Sequence, residues 1–131
     1  MAEGGCEGMI FTRTPYRISF FGGGTDYPEW FMKHGGQVLG ATIDKYCWIS
    51  VRTSTKFDHR FKVVYSKMEE CDKLDDIQHP AVRECLRYFG VTEGVCVHHW
   101  GDLPAQSGMG SSSAFVVGLV NALTTMKSCL R

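Results

Sequence analysis

The chain has 131 residues, 44% of them apolar and 21% charged, which is one ordinary globular domain with enough apolar material for a core. Fourteen Lys and Arg balance fourteen Asp and Glu, so the net charge is zero. That excludes the clustered basic excess of a nucleic-acid or anionic-membrane binder, though not a local positive pocket. No apolar run is long enough to span a membrane, no basic-then-apolar secretory leader opens the chain, and the six cysteines form no CxxC pair. A reduced, cytoplasmic setting is expected, with several cysteines acting as small core hydrophobes.

Residues 1–8 are small, acidic and glycine-rich and read as a disordered leader; the domain is expected over residues 9–131. Residues 11–21, ending RISFF, alternate as a strand that stops at Gly22, Gly23 and Gly24. Pro28 and Glu29 suit the first turn of a short helix, which Gly35 and Gly36 end. Residues 39–54 alternate as a long strand, with Ile43, Cys47, Ile49 and Val51 on one face. A turn at residues 58–60 and a returning strand at residues 61–66 predict an antiparallel hairpin with it. Residues 68–78 read as a charged loop. Residues 79–89 form an amphipathic helix, with Pro80 at its start, Gly90 past its end, and Val82, Cys85, Leu86 and Phe89 on one face. Residues 95–100 read as a strand, and residues 111–127 as a helix whose apolar body, AFVVGLVNAL, predicts burial on all sides. The fold class expected is α+β, a mostly antiparallel sheet with helices on one face.

The loop entering that last helix, LPAQSGMGSSSA, is the most informative segment. Gly108 and Gly110 permit backbone turns and close approach, and Ser111, Ser112 and Ser113 put hydroxyls at the positive end of a helix dipole. A phosphate is the natural partner of that arrangement; a helix cap after a flexible turn is the alternative. It is no Walker A loop, because no Lys follows the glycines, and no GxGxxG fingerprint, because Ser113 stands at the third glycine. GSSSA also resembles a nucleophile elbow, which would make Ser112 a serine-hydrolase nucleophile, but residues 104–108 separate it from the preceding strand.

A second constellation is RISFFGGGTD. Asp26 suits bidentate bonding to vicinal sugar hydroxyls and Arg17 suits a phosphate, against the alternative of an ordinary turn. His98 and His99, adjacent on a strand, point to opposite faces and make a poor metal pair. Trp30, Trp48 and Trp100 are expected in the core or lining a cleft, and one of them could stack on a sugar.

Together, TPYRISFFGGGTDY and LPAQSGMGSSSA resemble the first and second motifs of the GHMP kinases, with Met109 where the family's PxxxGLGSSA has Leu. The similarity is strongest to the D-glycero-D-manno-heptose 7-phosphate kinases, which share TRTPYRISFFGGGTDYP and TIDKY (residues 42–46). Galactokinases carry Glu-His at the positions of Gly23 and Gly24. The resemblance implies a ribosomal protein S5 domain 2-like N-terminal domain that takes ATP and Mg²⁺. It implies that Pro104, Gly108, Met109, Gly110, Ser111, Ser112 and Ser113 hold ATP phosphates, with Ser112 meeting Mg²⁺. It further implies that Gly23, Gly24, Thr25 and Asp26 bind the sugar, that Arg17 lies near the transferred phosphoryl group, and that a sugar or sugar phosphate, not nucleic acid or membrane, is the partner.

In that family the general base and a third glycine-rich motif lie beyond the second. Neither is assignable in this chain, Asp44 and Asp102 being candidates by charge only. The chain alone is therefore expected to be inactive, and a non-catalytic nucleotide-binding or interaction module is the competing expectation. An apolar last helix without further neighbours also predicts self-association.

Overall fold

The computed structural model describes residues 8–54, 60–92, 94–104, 108 and 110–129. Expectations for residues 1–7, for the turn at Asp58 and His59, and for Met109 lie outside them. Five strands form one sheet: β1 (Ile10–Phe21), β2 (Leu39–Thr53), β3 (Phe61–Val64), β4 (Met68–Cys71) and β5 (Val95–Gly101). Three α-helices accompany them: α1 (Pro28–His34), α2 (Pro80–Phe89) and α3 (Ser111–Cys129).

The sheet order is β1-β2-β5-β3-β4. Three of the four pairings are antiparallel, and β3 runs parallel to β5. The mixed α+β architecture agrees with expectation, but the hairpin expected between residues 39–54 and 61–66 does not form. β5 lies between β2 and β3, pairing Val51 with Val97 on one side and Val63 with Val97 on the other. Val95, Cys96 and Val97 are all buried, so this strand satisfies the interior on both flanks. The segment expected as a loop at residues 68–78 instead supplies β4, which makes the true hairpin with β3, followed by a single 3-10 turn at Leu74–Asp76.

The core joins Cys47, Ile49 and Val51 of β2, Val63 of β3 and Val97 of β5 to Val82 and Leu86 of α2 and Leu119, Ala122 and Leu123 of α3. Both α2 and α3 thus bury a face against this layer, whereas α1 buries none of its residues. α2 starts at Pro80 and ends before Gly90 as the sequence predicts; His79, expected inside it, caps it instead, its Nδ1 accepting the Val82 N–H at 3.4 Å, and Gly90 closes it in the left-handed region at φ 64°.

α3 departs from its expected all-round burial. Ala114, Phe115, Leu119, Ala122, Leu123 and Met126 are buried, but Val116, Val117 and Val120 face outward, Val117 at 58% exposure. One side of the helix has the sheet and α2 to pack on; the other has no neighbour among the described residues. The close approach to the sheet is made at Gly118, whose carbonyl accepts the Thr12 hydroxyl at 3.0 Å.

Candidate functional site

β1 carries one half of the site and α3 the other. β1 and β2 pair in regular register from Ile10 to Pro15, and then the register slips: Pro15 faces Tyr46, but Arg17 faces Thr42. The extra β2 residues fall within TIDKY, forming an irregularity of the kind that re-aims a side chain. Beyond it β1 runs into Gly22 and Gly23, at φ 99° and 105°. A side chain on Gly22 would collide with backbone, its first carbon 2.6 Å from the Gln37 carbonyl oxygen, so the turn requires glycine there.

The chain then folds back, with the Asp26 N–H donating to the Gly23 carbonyl at 3.3 Å, and opens a cleft of about 490 Å³. Its lining includes Arg17, Gly23 and Asp26, as the motif implied, with Ser19, Gly40 and Thr42 added by β1 and β2. Thr25 sits beside it against Gly36, and Gly24 is exposed with open space around it.

At the other half, the Gly110 carbonyl accepts the Ala114 N–H at 2.9 Å, which makes Gly110 the last residue before the helix. The N–H groups of Ser111, Ser112 and Ser113 therefore precede the first intrahelical donor and have no acceptor within the helix, the position at which helices meet anions. Gly108 and Gly110 stand at φ 74° and 70°, conformations that glycine reaches without strain, and Pro104 follows the end of β5 at the surface. Two glycines at positive φ, a helix N-terminus and hard hydroxyl oxygens suit a triphosphate and the oxygen-loving Mg²⁺ that accompanies it. Ser111 and Ser112 line a second cleft of about 510 Å³, walled by Tyr16, Tyr65, His79, His99 and Phe115.

Arg17, which lines the first cleft, reaches the residue that precedes α3. A methyl group on Gly110 would stand 3.3 Å from Arg17 Cγ and 3.5 Å from its Nε, so the guanidinium arm lies directly against the helix entry. Residues 93 positions apart are thereby brought together, and the cation of the first motif stands against the helix entry of the second.

Burial disfavours the charged forms of the titratable groups in the aromatic cleft. Burial lowers the His79 pKa against the opposing pull of Glu69, and burial followed by the neighbouring His79 lowers that of His99. Burial, then the charges of Cys47 and Asp102, raises the Tyr16 pKa. None of these cleft residues except Ser111 and Ser112 was legible as a site in the sequence, because they come from separate elements and share no spacing.

Other candidates fall elsewhere. The Asp102 carboxylate accepts from the Tyr46 N–H at 2.8 Å and from Trp48 Nε1 at 3.2 Å, tying β2 to the end of β5, which is a structural task. Asp44 is exposed on β2. His99 packs its ring on Phe115 whereas His98 packs on Trp100, on opposite faces as expected. Trp30, Trp48 and Trp100 are exposed, at 51%, 37% and 50%, which corrects their expected placement in the core, and none of them lines either of these two clefts. Residues 102–110 separate β5 from α3, so the strand-to-turn geometry of a nucleophile elbow is not built around Ser112. Among the described residues no three His, Cys, Asp or Glu cluster as a metal site, and no helix is long and apolar enough to cross a membrane.

Comparison with known proteins bears on the family and the fold. Residues 77–129 match the family described as GHMP kinases N terminal domain. A curated relative, the D-glycero-alpha-D-manno-heptose 7-phosphate kinase of Campylobacter jejuni, is 33% identical over 123 residues, covering 86% of this chain and 36% of its own length. A homoserine kinase of Staphylococcus aureus is 28% identical over 88 residues, covering 66% of this chain and 29% of its own. Among solved structures, a D-glycero-D-manno-heptose 1-phosphate kinase from Bacteriodes thetaiotaomicron superposes with a TM-score of 0.74 at 21% identity, over 90% of this chain and 42% of that one. The mevalonate kinase of Methanococcus jannaschii gives 0.65 at 16% identity, over 93% and 41%. The chain thus spans well under half the length of these relatives. Family match, motif order and fold agree that the chain carries a GHMP kinase N-terminal domain.

Proposed function

We propose that the whole protein containing this chain transfers the γ-phosphoryl group of ATP to a hydroxyl of a sugar or sugar phosphate, with the anomeric hydroxyl of a heptose 7-phosphate as acceptor. The contact of Arg17 with Gly110 carries this reading, because it joins the cleft that Arg17 and Asp26 line to the entry of α3, where a phosphate would sit. The resemblance of both motifs, and the 33% identity to a heptose 7-phosphate kinase, support the choice of acceptor.

In this reading Pro104, Gly108, Met109, Gly110, Ser111, Ser112 and Ser113 form the phosphate loop, and Ser112 offers its hydroxyl to Mg²⁺, which supplies charge neutralisation. Gly23, Gly24, Thr25 and Asp26 hold the sugar, Asp26 accepting from its hydroxyls. Arg17 stabilises negative charge at the transferred group. A bond forms between the sugar oxygen and phosphorus as the bond from phosphorus to the bridging oxygen of ADP breaks; the hydroxyl proton is released. Positioning and charge neutralisation supply the catalysis. A cytoplasmic site of action, where ATP and sugar phosphates occur, belongs to the same reading.

The test is ³¹P NMR of the whole protein with MgATP and heptose 7-phosphate. An anomeric phosphate resonance is expected, and Ser112→Ala should lower kcat on the order of 100-fold. ATP turnover with no phosphorylated sugar would overturn the acceptor, and full activity of Ser112→Ala would remove that hydroxyl from the metal.

A further inference from the structure

The aromatic cleft beside Ser111 and Ser112 holds a histidine fixed at the start of α2. His79 Nδ1 accepts the Val82 N–H at 3.4 Å, an arrangement that the neutral tautomer protonated on Nε2 provides. The ring stands edge-on to Tyr65, with centroids 4.9 Å apart, and tilted against Phe115, also at 4.9 Å. Phe115 lies four residues after Ser111, about 6 Å along α3, so the aromatic wall and the phosphate cradle are within the span of one nucleotide.

One carboxylate fixes this wall. Glu69 accepts from the Tyr65 hydroxyl through Oε1 and from the Gln78 N–H through Oε2, both at 2.6 Å. It thereby clamps the residue before His79 to the residue packed on its ring. The titratable groups around His79 are Glu69 from β4, Tyr65 from the β3–β4 turn and His99 from β5; α3 contributes the apolar Phe115.

We propose that His79 is a base-recognition residue, donating its Nε2–H to a ring nitrogen of a purine that packs against the Tyr65–Phe115 wall. This rests on the reading, given above, of the entry to α3 as the loop that holds ATP phosphates. A purine offers ring-nitrogen acceptors along its edges and a broad face for aromatic contact. An imidazolium would lose the Nδ1 acceptor that caps α2, so recognition belongs to the neutral ring.

The test compares calorimetric binding of MgATP with that of magnesium tripolyphosphate, which has the phosphates and no base. His79→Ser keeps an N-cap oxygen but loses the ring and its N–H. The variant should bind MgATP about tenfold more weakly and tripolyphosphate as wild type does. Should it melt below the assay temperature, His79→Asn, with a strong capping side chain, takes its place and should lose MgATP affinity in the same selective way. Equal weakening of both ligands, or of neither, overturns the role of His79 and marks it as a cap alone. A wild-type protein that binds tripolyphosphate as tightly as MgATP overturns it too, while leaving the phosphate cradle standing. Binding of neither ligand by wild type overturns the nucleotide reading, and His79 with it.

Discussion

Gly118→Ala sets two well-measured effects against each other. In an exposed helix interior, replacing glycine by alanine gains about 1 kcal/mol of helix propensity. At position 118 the new methyl would stand 2.9 Å from Thr14 Oγ1, 3.2 Å from Ile49 Cδ1 and 3.3 Å from Thr12 Oγ1. Three contacts on β1 and β2 must give at once, and none is the end of a long side chain. Overpacking of this kind costs about 1–3 kcal/mol. Lifting α3 also stretches the 3.0 Å hydrogen bond from Thr12 to the Gly118 carbonyl, worth about 1 kcal/mol.

The net expectation is destabilisation by about 1–2 kcal/mol, seen as a Tm lowered by roughly 3–8 °C. Thr14→Ala in the same background removes the nearest atom and should recover part of the loss, a coupling that a double-mutant cycle isolates. Thermal melting by circular dichroism of the wild type, both single variants and the double variant makes the measurement. A Gly118→Ala protein as stable as wild type, or more stable, would refute the argument that contact with the sheet, not propensity, decides this position.

The imidazoles make stability depend on pH in a predictable direction. His79, His98 and His99 all have pKa values lowered from 6.5, chiefly by burial. A histidine held neutral contributes stability above its unfolded pKa, and that contribution is lost as the pH falls from about 6.5 towards the lowered folded value. Urea midpoints should therefore drop between neutral and mildly acidic pH, and a flat profile over that range would contradict the burial of these rings. The outward valines of α3 make a separate prediction for this chain: it should self-associate in sedimentation equilibrium, and Val117→Lys should shift it towards monomer. A wild-type chain that stays monomeric at high concentration would show the patch to be inert.

What the sequence disclosed follows from how local each signal is. α2 was readable because its Pro80, its apolar stripe and its Gly90 all lie within eleven residues. The two motifs were readable because glycines at positive φ and helix-entry serines are local requirements of backbone geometry. Strand partnership was not readable: the patterns of β2 and β3 fit a hairpin, and only the insertion of the buried Val95–Val97 stretch between them decides otherwise. The burial of α3 was half readable, because composition gives the apolar content of a helix but not how many neighbours it has. The aromatic cleft was not readable, since Tyr16, Tyr65, His79, His99 and Phe115 meet through the fold alone.

The placement of β5 bears on how the chain reaches its native state. β1 with β2, and β3 with β4, are neighbours in sequence and can zip locally as the chain leaves the ribosome. Neither pair touches the other in the sheet order; β5 is the strand that joins them. Until residues 95–101 have been synthesised the molecule is two unconnected hairpins with open inner edges, and closing it requires long-range pairing on both flanks of one strand. The rate-limiting event should be the docking of β5, and the same edges are where an interrupted chain would pair with another copy.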